Sequence, residues 1–199
     1  MKNKLIVFEG IDGVGKTTLS KLLQKKLVKA GYNIVRYENI EDKNGGFNKI
    51  KPFIKTKVPI NSSLFFYIAS ALYKSQQIEK LLKHNWVICD RYIYSTYAYH
   101  TIRNANMSLI PDIKKIPIRL PDFVFLIKVD DDIRLQRAKT RSDNNIHDGK
   151  AKTKNNIVGR MEKELELFKP IIIDNSGPNV FNALKKIYTV IKINLKTKK

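Results

Sequence analysis

The segment Gly10-Ile11-Asp12-Gly13-Val14-Gly15-Lys16-Thr17 constrains this chain more than any other. It has the spacing G-x-x-x-x-G-K-[ST]. A short apolar run, Leu5–Phe8, precedes it. A helical pattern, Lys16–Ala30, follows at once, with Leu19, Leu22, Leu23 and Leu27 on one side and Gly31 as the stop signal. Strand, glycine turn and helix in that order belong to an α/β fold. The glycines let backbone N–H groups turn inward around phosphate oxygens with no Cβ in the way, and the helix N-terminus adds the positive end of its dipole. Lys16 supplies a point cation for the β- and γ-phosphates, and the Thr17 hydroxyl is a hard-oxygen ligand for Mg²⁺. The motif specifies nucleoside triphosphate binding without saying what is done with the triphosphate.

The rest of the chain supports that frame. Five apolar runs, Leu5–Phe8, Asn33–Tyr37, Trp86–Cys89, Phe123–Val129 and Ile171–Ile173, are rich in Val, Ile and aromatics. Runs of this kind are strands buried on both faces of a parallel sheet. Helical patterns alternate with them at Lys16–Ala30, Asn61–Leu82, about 130–140, about 157–168 and about 178–193. The alternation predicts a doubly wound α/β domain with a five-stranded parallel sheet flanked by helices. At 199 residues, 43% hydrophobic, the chain suits a single domain with a real core. Residues 142–156 are polar, basic and unpatterned, the signature of a mobile lid. A single cysteine, Cys89, excludes an internal disulfide and points to a reducing, cytoplasmic setting. No apolar run approaches the ~20 residues of a membrane helix. The excess of 38 Lys+Arg over 18 Asp+Glu, a net +20, suits a nucleic-acid binder, an enzyme of polyanionic nucleotides, or a solvated lysine-rich surface.

A second signature is Trp86-Val87-Ile88-Cys89-Asp90-Arg91-Tyr92. It puts an acid at the carboxyl end of a buried strand, where ligands of open α/β sheets collect, with an arginine fork for a phosphate beside it. Three stretches together resemble the thymidylate kinase family: Phe8-Glu9-Gly10 running on to Thr18, Leu64-Phe65-Phe66-Tyr67-Ile68-Ala69, and Asp90-Arg91-Tyr92 with Ser95 and Ala98-Tyr99. Pro121-Asp122 opening a strand, and a following helix with Arg137 and Arg141, fit as well. The resemblance implies a three-layer P-loop kinase fold and transfer of the γ-phosphoryl of ATP, with Mg²⁺, to a nucleoside monophosphate, dTMP first among them. It implies that Lys16, Thr17 and Thr18 hold the ATP phosphates and that Thr17 and Asp90 hold the metal. On the acceptor, Arg91 grips the phosphate, Asp12 takes the sugar 3′-hydroxyl, Phe66 stacks on the base and Tyr99 fills the place of a 2′-hydroxyl. Ser70 and Ser95 complete that set. Arg137 flanks the adenine and Arg141 the lid. A homodimer through helices is implied, and neither a membrane nor nucleic acid is expected as a partner. The alternatives are another pyrimidine monophosphate as acceptor, or a P-loop nucleotide switch or nucleic-acid-associated ATPase.

Spacing adds that Arg134, Arg137 and Arg141 share one helix face. The three histidines, His84, His100 and His147, show no metal-ligand spacing. The chain also departs from the family pattern. Ser70 stands where the family carries an arginine that bonds thymine. The stretch Tyr37–Lys43 lacks the arginine that usually follows the second strand, leaving Arg36 and Lys43 as the nearest cations. Gly13 in the loop leaves the transition-state cation to the lid, where Arg141, Lys150, Lys152 and Lys154 are the candidates. With Tyr99 at the sugar, Tyr99→Ala is expected to raise kcat/KM for the ribonucleotide more than for the deoxyribonucleotide. Equal turnover of dTMP and its ribose counterpart by the unmodified enzyme would refute that placement.

Overall fold

The computed structural model describes residues 2–37, 46–139 and 157–196. The sheet grows from the apolar runs. β1 (Leu5–Glu9) is buried at every residue. β2 (Ile34–Tyr37), β3 (Trp86–Asp90), β4 (Phe123–Lys128) and β5 (Ile171–Asp174) complete five strands in the order β2-β3-β1-β4-β5. All four pairings are parallel. Alternate residues of β1 feed opposite faces, as the two-residue period of a strand requires. Ile6 and Phe8 join α1 (Lys16–Lys29), α6 (Ile157–Glu166) and α7 (Val180–Lys196) through Leu19, Leu23, Leu27, Met161 and Ile187. Leu5 and Val7 join α3 (Ile60–Leu82) through Leu64, Ile68, Ala71 and Ile78 on the other face. The result is three layers, helix, sheet, helix.

Local signals set most boundaries. Gly31 ends α1 at φ +85°, and Tyr32 N–H returns to the Leu27 carbonyl at 3.1 Å. Asn179 caps α7 by accepting from Phe181 N–H at 2.9 Å. Two helices were not anticipated. α2 (Gly46–Lys57) contains Pro52, which reads as a breaker in the sequence. α4 (Ile93–Ile102) is built from Ile, Tyr and Thr, residues that favour strands in isolation. Burial of Ile93, Ala98 and Ile102 against the sheet and its neighbours overrides that preference. The helix expected at about 130–140 is α5 (Asp131–Lys139). The lid segment 142–156 lies outside the described residues.

One carboxylate ties the entrance of the two central strands. Asp122 accepts from Leu5 N–H at 2.9 Å, from Lys4 Nζ at 3.1 Å and from Arg119 Nη2 at 2.5 Å. Its own N–H donates to the Leu5 carbonyl at 2.9 Å. Burial alone would raise the Asp122 carboxyl, but the Leu5 N–H, Lys4 and Arg119 hold it below its ordinary value. Such a group stabilises the fold above its unfolded pKa of about 3.9 and loses that contribution as pH falls through the lower folded value. Asp122→Asn is expected to cost about 1–2 kcal/mol at neutral pH. Its deficit relative to wild type should shrink as pH falls below about 4. Urea unfolding at a series of pH values measures both; a deficit constant down to the acid limb would show that the charge is not what matters.

Candidate active site

The phosphate loop sits between β1 and α1, and backbone geometry explains its glycines. Gly10 has φ +137°, and a Cβ there would lie 2.5 Å from the Ile127 carbonyl oxygen of β4. Gly15 has φ +92°, and a Cβ would lie 2.7 Å from Asn175 Nδ2. Neither position has room for a side chain, and both need the left-handed region. Ile11 and Val14 bury their side chains into the core, which pins the loop from beneath. Lys16 is buried, and its Nζ donates to the Ile11 carbonyl at 2.7 Å. Burial first, and then the nearby Arg91, push its ammonium down to about 8. Thr17 and Thr18 are exposed at the start of α1.

The second signature meets this loop directly. β1 and β3 pair with Phe8 opposite Asp90. Thr17 Oγ1 donates to Asp90 Oδ2 at 2.9 Å. Asp90 Oδ1 is buried with no hydrogen-bond partner among the described residues. A hydroxyl and an open carboxylate oxygen side by side are hard donors of the kind Mg²⁺ takes, with phosphate oxygens and water completing its shell. Among the described residues there is no cluster of three or more His, Cys, Asp or Glu that could hold a metal.

Arg91 follows with φ +60°, a conformation costing a non-glycine residue about 1–3 kcal/mol. Its N–H donates to the Phe8 carbonyl at 2.9 Å. Its Nη2 donates to Asp12 Oδ1 at 2.5 Å and its Nη1 to Ser95 Oγ at 3.2 Å. Burial would raise the Asp12 carboxyl, but Arg91 and Lys16 outweigh it and hold it below its ordinary value. Asp12 is exposed, 75% by its side chain, so the pair faces solvent and a ligand can compete for it.

Sequence reading missed the residue beneath this pair. Glu9 is 1% exposed, accepts from Tyr92 N–H at 2.8 Å and accepts the Ser95 hydroxyl. Burial pushes its carboxyl up, and Ser95 and Arg91 hold it back. The Ser95 hydroxyl thus spends its proton on Glu9 and a lone pair on Arg91, which makes it a brace between them. Glu9 stands in one of the stretches that carry the resemblance, but an acid closing an apolar strand reads as punctuation, and no role was read for it.

Asn175, just after β5, was missed because a polar residue in a loop carries no local sign of its partner. It is 4% exposed, and its Nδ2 donates to the Val14 carbonyl at 2.9 Å. Arg137 Nη2 donates to the Asn175 carbonyl at 3.0 Å, so Arg137 lies against the loop after β5. Arg134 does not continue an open basic stripe with it. Its side chain is buried, 3.3 Å from Asp131 and packed beside Gly13. Arg141, Lys150, Lys152, Lys154 and His147 lie outside the described residues, as does Lys43.

Aromatic side chains from three helices form a wall nearby in the chain. Phe66 on α3 lies 5.4 Å from Phe47 on α2 and 5.4 Å from Tyr67. Tyr67 lies 5.5 Å and Tyr99 5.3 Å from His100 on α4. Ser70 is half-buried one turn beyond Phe66. The Tyr99 hydroxyl accepts from Arg103 at 2.5 Å. His100 Nδ1 faces the Thr96 carbonyl at 2.7 Å, which can only accept, so Nδ1 carries the proton. Nε2 then accepts from Ser63 Oγ at 3.2 Å. Burial holds the ring below its ordinary pKa, so it stays a neutral structural member of the wall.

Known proteins resemble this chain along most of its length. The thymidylate kinase family model matches residues 8–187. A probable thymidylate kinase of Methanocaldococcus jannaschii is 37% identical over 142 residues, 70% of this chain and 71% of that protein. One of Methanococcus aeolicus is 34% identical over 197 residues, 93% of this chain and 94% of that protein. Among solved structures, the thymidylate kinase of Ehrlichia chaffeensis superposes with a TM-score of 0.65 at 23% identity, over 96% of this chain and 100% of that one. That of Candida albicans gives 0.67 at 18% identity, over 97% and 92%. The solved structures share the fold, and no described helix is long and apolar enough to cross a membrane. With its phosphate loop and its Asp90-Arg91 edge inside the matched span, this chain belongs to the thymidylate kinase family, nucleoside monophosphate kinases that transfer a phosphoryl group to dTMP to form dTDP.

Proposed function

We propose that this chain phosphorylates dTMP with ATP and Mg²⁺ as a single kinase domain whose residues 142–156 act as the lid. The observation that carries the reading is the meeting of two half-sites. The Thr17–Asp90 hydrogen bond and the Asp12–Arg91 pair put the phosphate loop and the strand-end acid and arginine in one crevice. A nucleotide switch needs only the first half.

In this reading an oxygen of the acceptor phosphate bonds to the γ-phosphorus while the bond to the bridging oxygen of ADP breaks. Gly10, Ile11, Asp12, Gly13, Val14, Gly15 and Thr18 shape the cradle for the ATP phosphates, and Lys16 neutralises the charge between β and γ. Arg137 lies against the loop after β5 and flanks the adenine. Thr17 and Asp90 hold Mg²⁺, which neutralises phosphate charge when bound. Arg91 holds the acceptor phosphate in line, braced by Ser95 and Glu9. Asp12 keeps Oδ2 for the sugar 3′-hydroxyl. Phe66 stacks on the base, Ser70 faces its edge, and Tyr99 closes the 2′ side. Arg141 or a lid lysine brings the last cation as the lid closes.

A cytoplasmic location and a homodimer belong to the same proposal. Cys89 is a buried free thiol, as a reducing compartment allows. Phe53 on α2 and Phe65 on α3 are 58% and 50% exposed, apolar surface that a second copy can cover.

A coupled ADP-release assay over dTMP, dUMP, dCMP and dGMP tests the acceptor. dTMP is expected to be preferred, with measurable turnover of dUMP, because a hydroxyl at Ser70 discriminates less than a charged fork. Ser70→Arg should sharpen the preference. Background turnover with all four would sink the kinase reading, and strict dTMP selectivity would sink the role given to Ser70.

Lys16 supports a pH test. Its ammonium, at about 8, is charged at neutral pH and neutral well above that value. Affinity for ATP is therefore expected to weaken as pH rises through about 8 in the wild type. In Lys16→Met the same curve should be flat, and kcat/KM should fall by an amount equivalent to about 2–4 kcal/mol. A Lys16→Met variant with the wild-type pH profile would remove Lys16 from the phosphate site.

A further inference from the structure

The carbonyl of Arg91 takes two donors, the Cys89 thiol from its own strand and a lysine that neither signature contains. Lys74 Nζ, from the middle of α3, donates to it at 2.7 Å. The Cys89 thiol donates at 3.1 Å. Burial pushes that thiol up, so it stays protonated and can donate. The Lys74 ammonium also lies 5.1 Å from the centre of the Tyr37 ring at the end of β2, and Tyr37 pairs in register with Cys89. No carboxylate pairs with Lys74 among the described residues. Its contacts there are a carbonyl, a thiol and a π face, all at the carboxyl edge of β2 and β3.

These contacts grip the one peptide on which the guanidinium depends. Arg91 is left-handed, at φ +60°. Its N–H is fixed to Phe8, and its side chain reaches Asp12 and Ser95. If the carbonyl lost its charged donor, the residue could relax towards the right-handed or extended regions. That rotation swings Cβ, and with it the guanidinium, about a fixed N–H. A misplacement of about 1 Å in a phosphate-positioning group is enough to cost a large factor in rate.

We propose that Lys74 is a positioning residue for the acceptor phosphate: it clamps the left-handed Arg91 peptide and thereby aims the Arg91 guanidinium. The proposal rests on Arg91 as the acceptor-phosphate residue. Lys74 acts through Arg91 and touches no reacting atom. Nothing in the run of α3 marks it, since a lysine in a helix reads as a solvated side chain.

The test is a double-mutant cycle on steady-state kinetics of the full chain. Lys74→Met keeps the apolar stem over Tyr37 and removes the donor; Lys74→Gln is a second, polar removal. Both are expected to raise KM for dTMP about tenfold while KM for ATP stays within about twofold, and Lys74→Arg should restore dTMP KM. In an Arg91→Ala background, adding Lys74→Met should change nothing further. Unchanged dTMP KM in Lys74→Met and Lys74→Gln would overturn the proposal. So would a parallel rise in both KM values with a lowered Tm, which marks a merely structural role, or additive losses in the double variant, which mark direct contact with substrate. If Arg91→Ala alone leaves dTMP KM untouched, the reading of Arg91 fails, whatever Lys74 does.

Discussion

The parallel register that sets Phe8 beside Asp90 is the constraint on which the site depends. It places the end of β1, where the phosphate loop begins, next to the end of β3, where Asp90 and Arg91 emerge. Side chains alternate along a strand, so a slip of one residue would send Asp90 to the opposite face and bring Cys89 to the crevice. The register is held because β1 is buried on both faces. Leu5 and Val7 pack into one helical layer, Ile6 and Phe8 into the other. Asp122 fixes the far end of the same strand by accepting from Leu5 N–H. The apolar core thus sets the place of a polar contact, Thr17 to Asp90, that neither residue could establish alone.

Charge within the crevice is arranged in layers. Glu9 lies deepest, buried and pushed towards its neutral form, with Ser95 and Arg91 drawing it back. Lys16 is buried above the strand end and pushed down to about 8. Asp12 and Arg91 stand at the surface as a pair. Burying charged groups costs several kcal/mol each unless partners or a ligand repay it. A polyanion brought against Lys16 and Arg91 would restore the ammonium and relieve the repulsion between the two cations, which sharpens binding of phosphate over neutral ligands.

The aromatic wall depends on how helices pack. Phe47, Phe66, Tyr67, Tyr99 and His100 come from α2, α3 and α4. Their grouping follows from how these helices pack on the sheet. His100 illustrates the point: nothing in its neighbours announces a neutral buried imidazole, and only Ser63 across the helix pair and the Thr96 carbonyl define its state.

The sequence by itself determined the strands, the phosphate loop and the family. Those features are local: apolar runs must be buried, and a glycine motif between strand and helix has one use. It also announced Asp90 and Arg91, because a strand-end acid and arginine lie within a few residues of one another. What it could not decide is everything that joins distant segments. Pro52 and the Ile-Tyr-Thr composition of residues 93–102 argued locally against helices that tertiary burial formed all the same. Arg134 reads as one of a basic stripe with Arg137 and Arg141, yet its side chain is buried beside Gly13. Ser95, Glu9, Asn175 and Lys74 acquire their roles from partners 86, 83, 161 and 17 residues away. A hydrogen bond depends on position to a fraction of an ångström, and only the packed core supplies that precision.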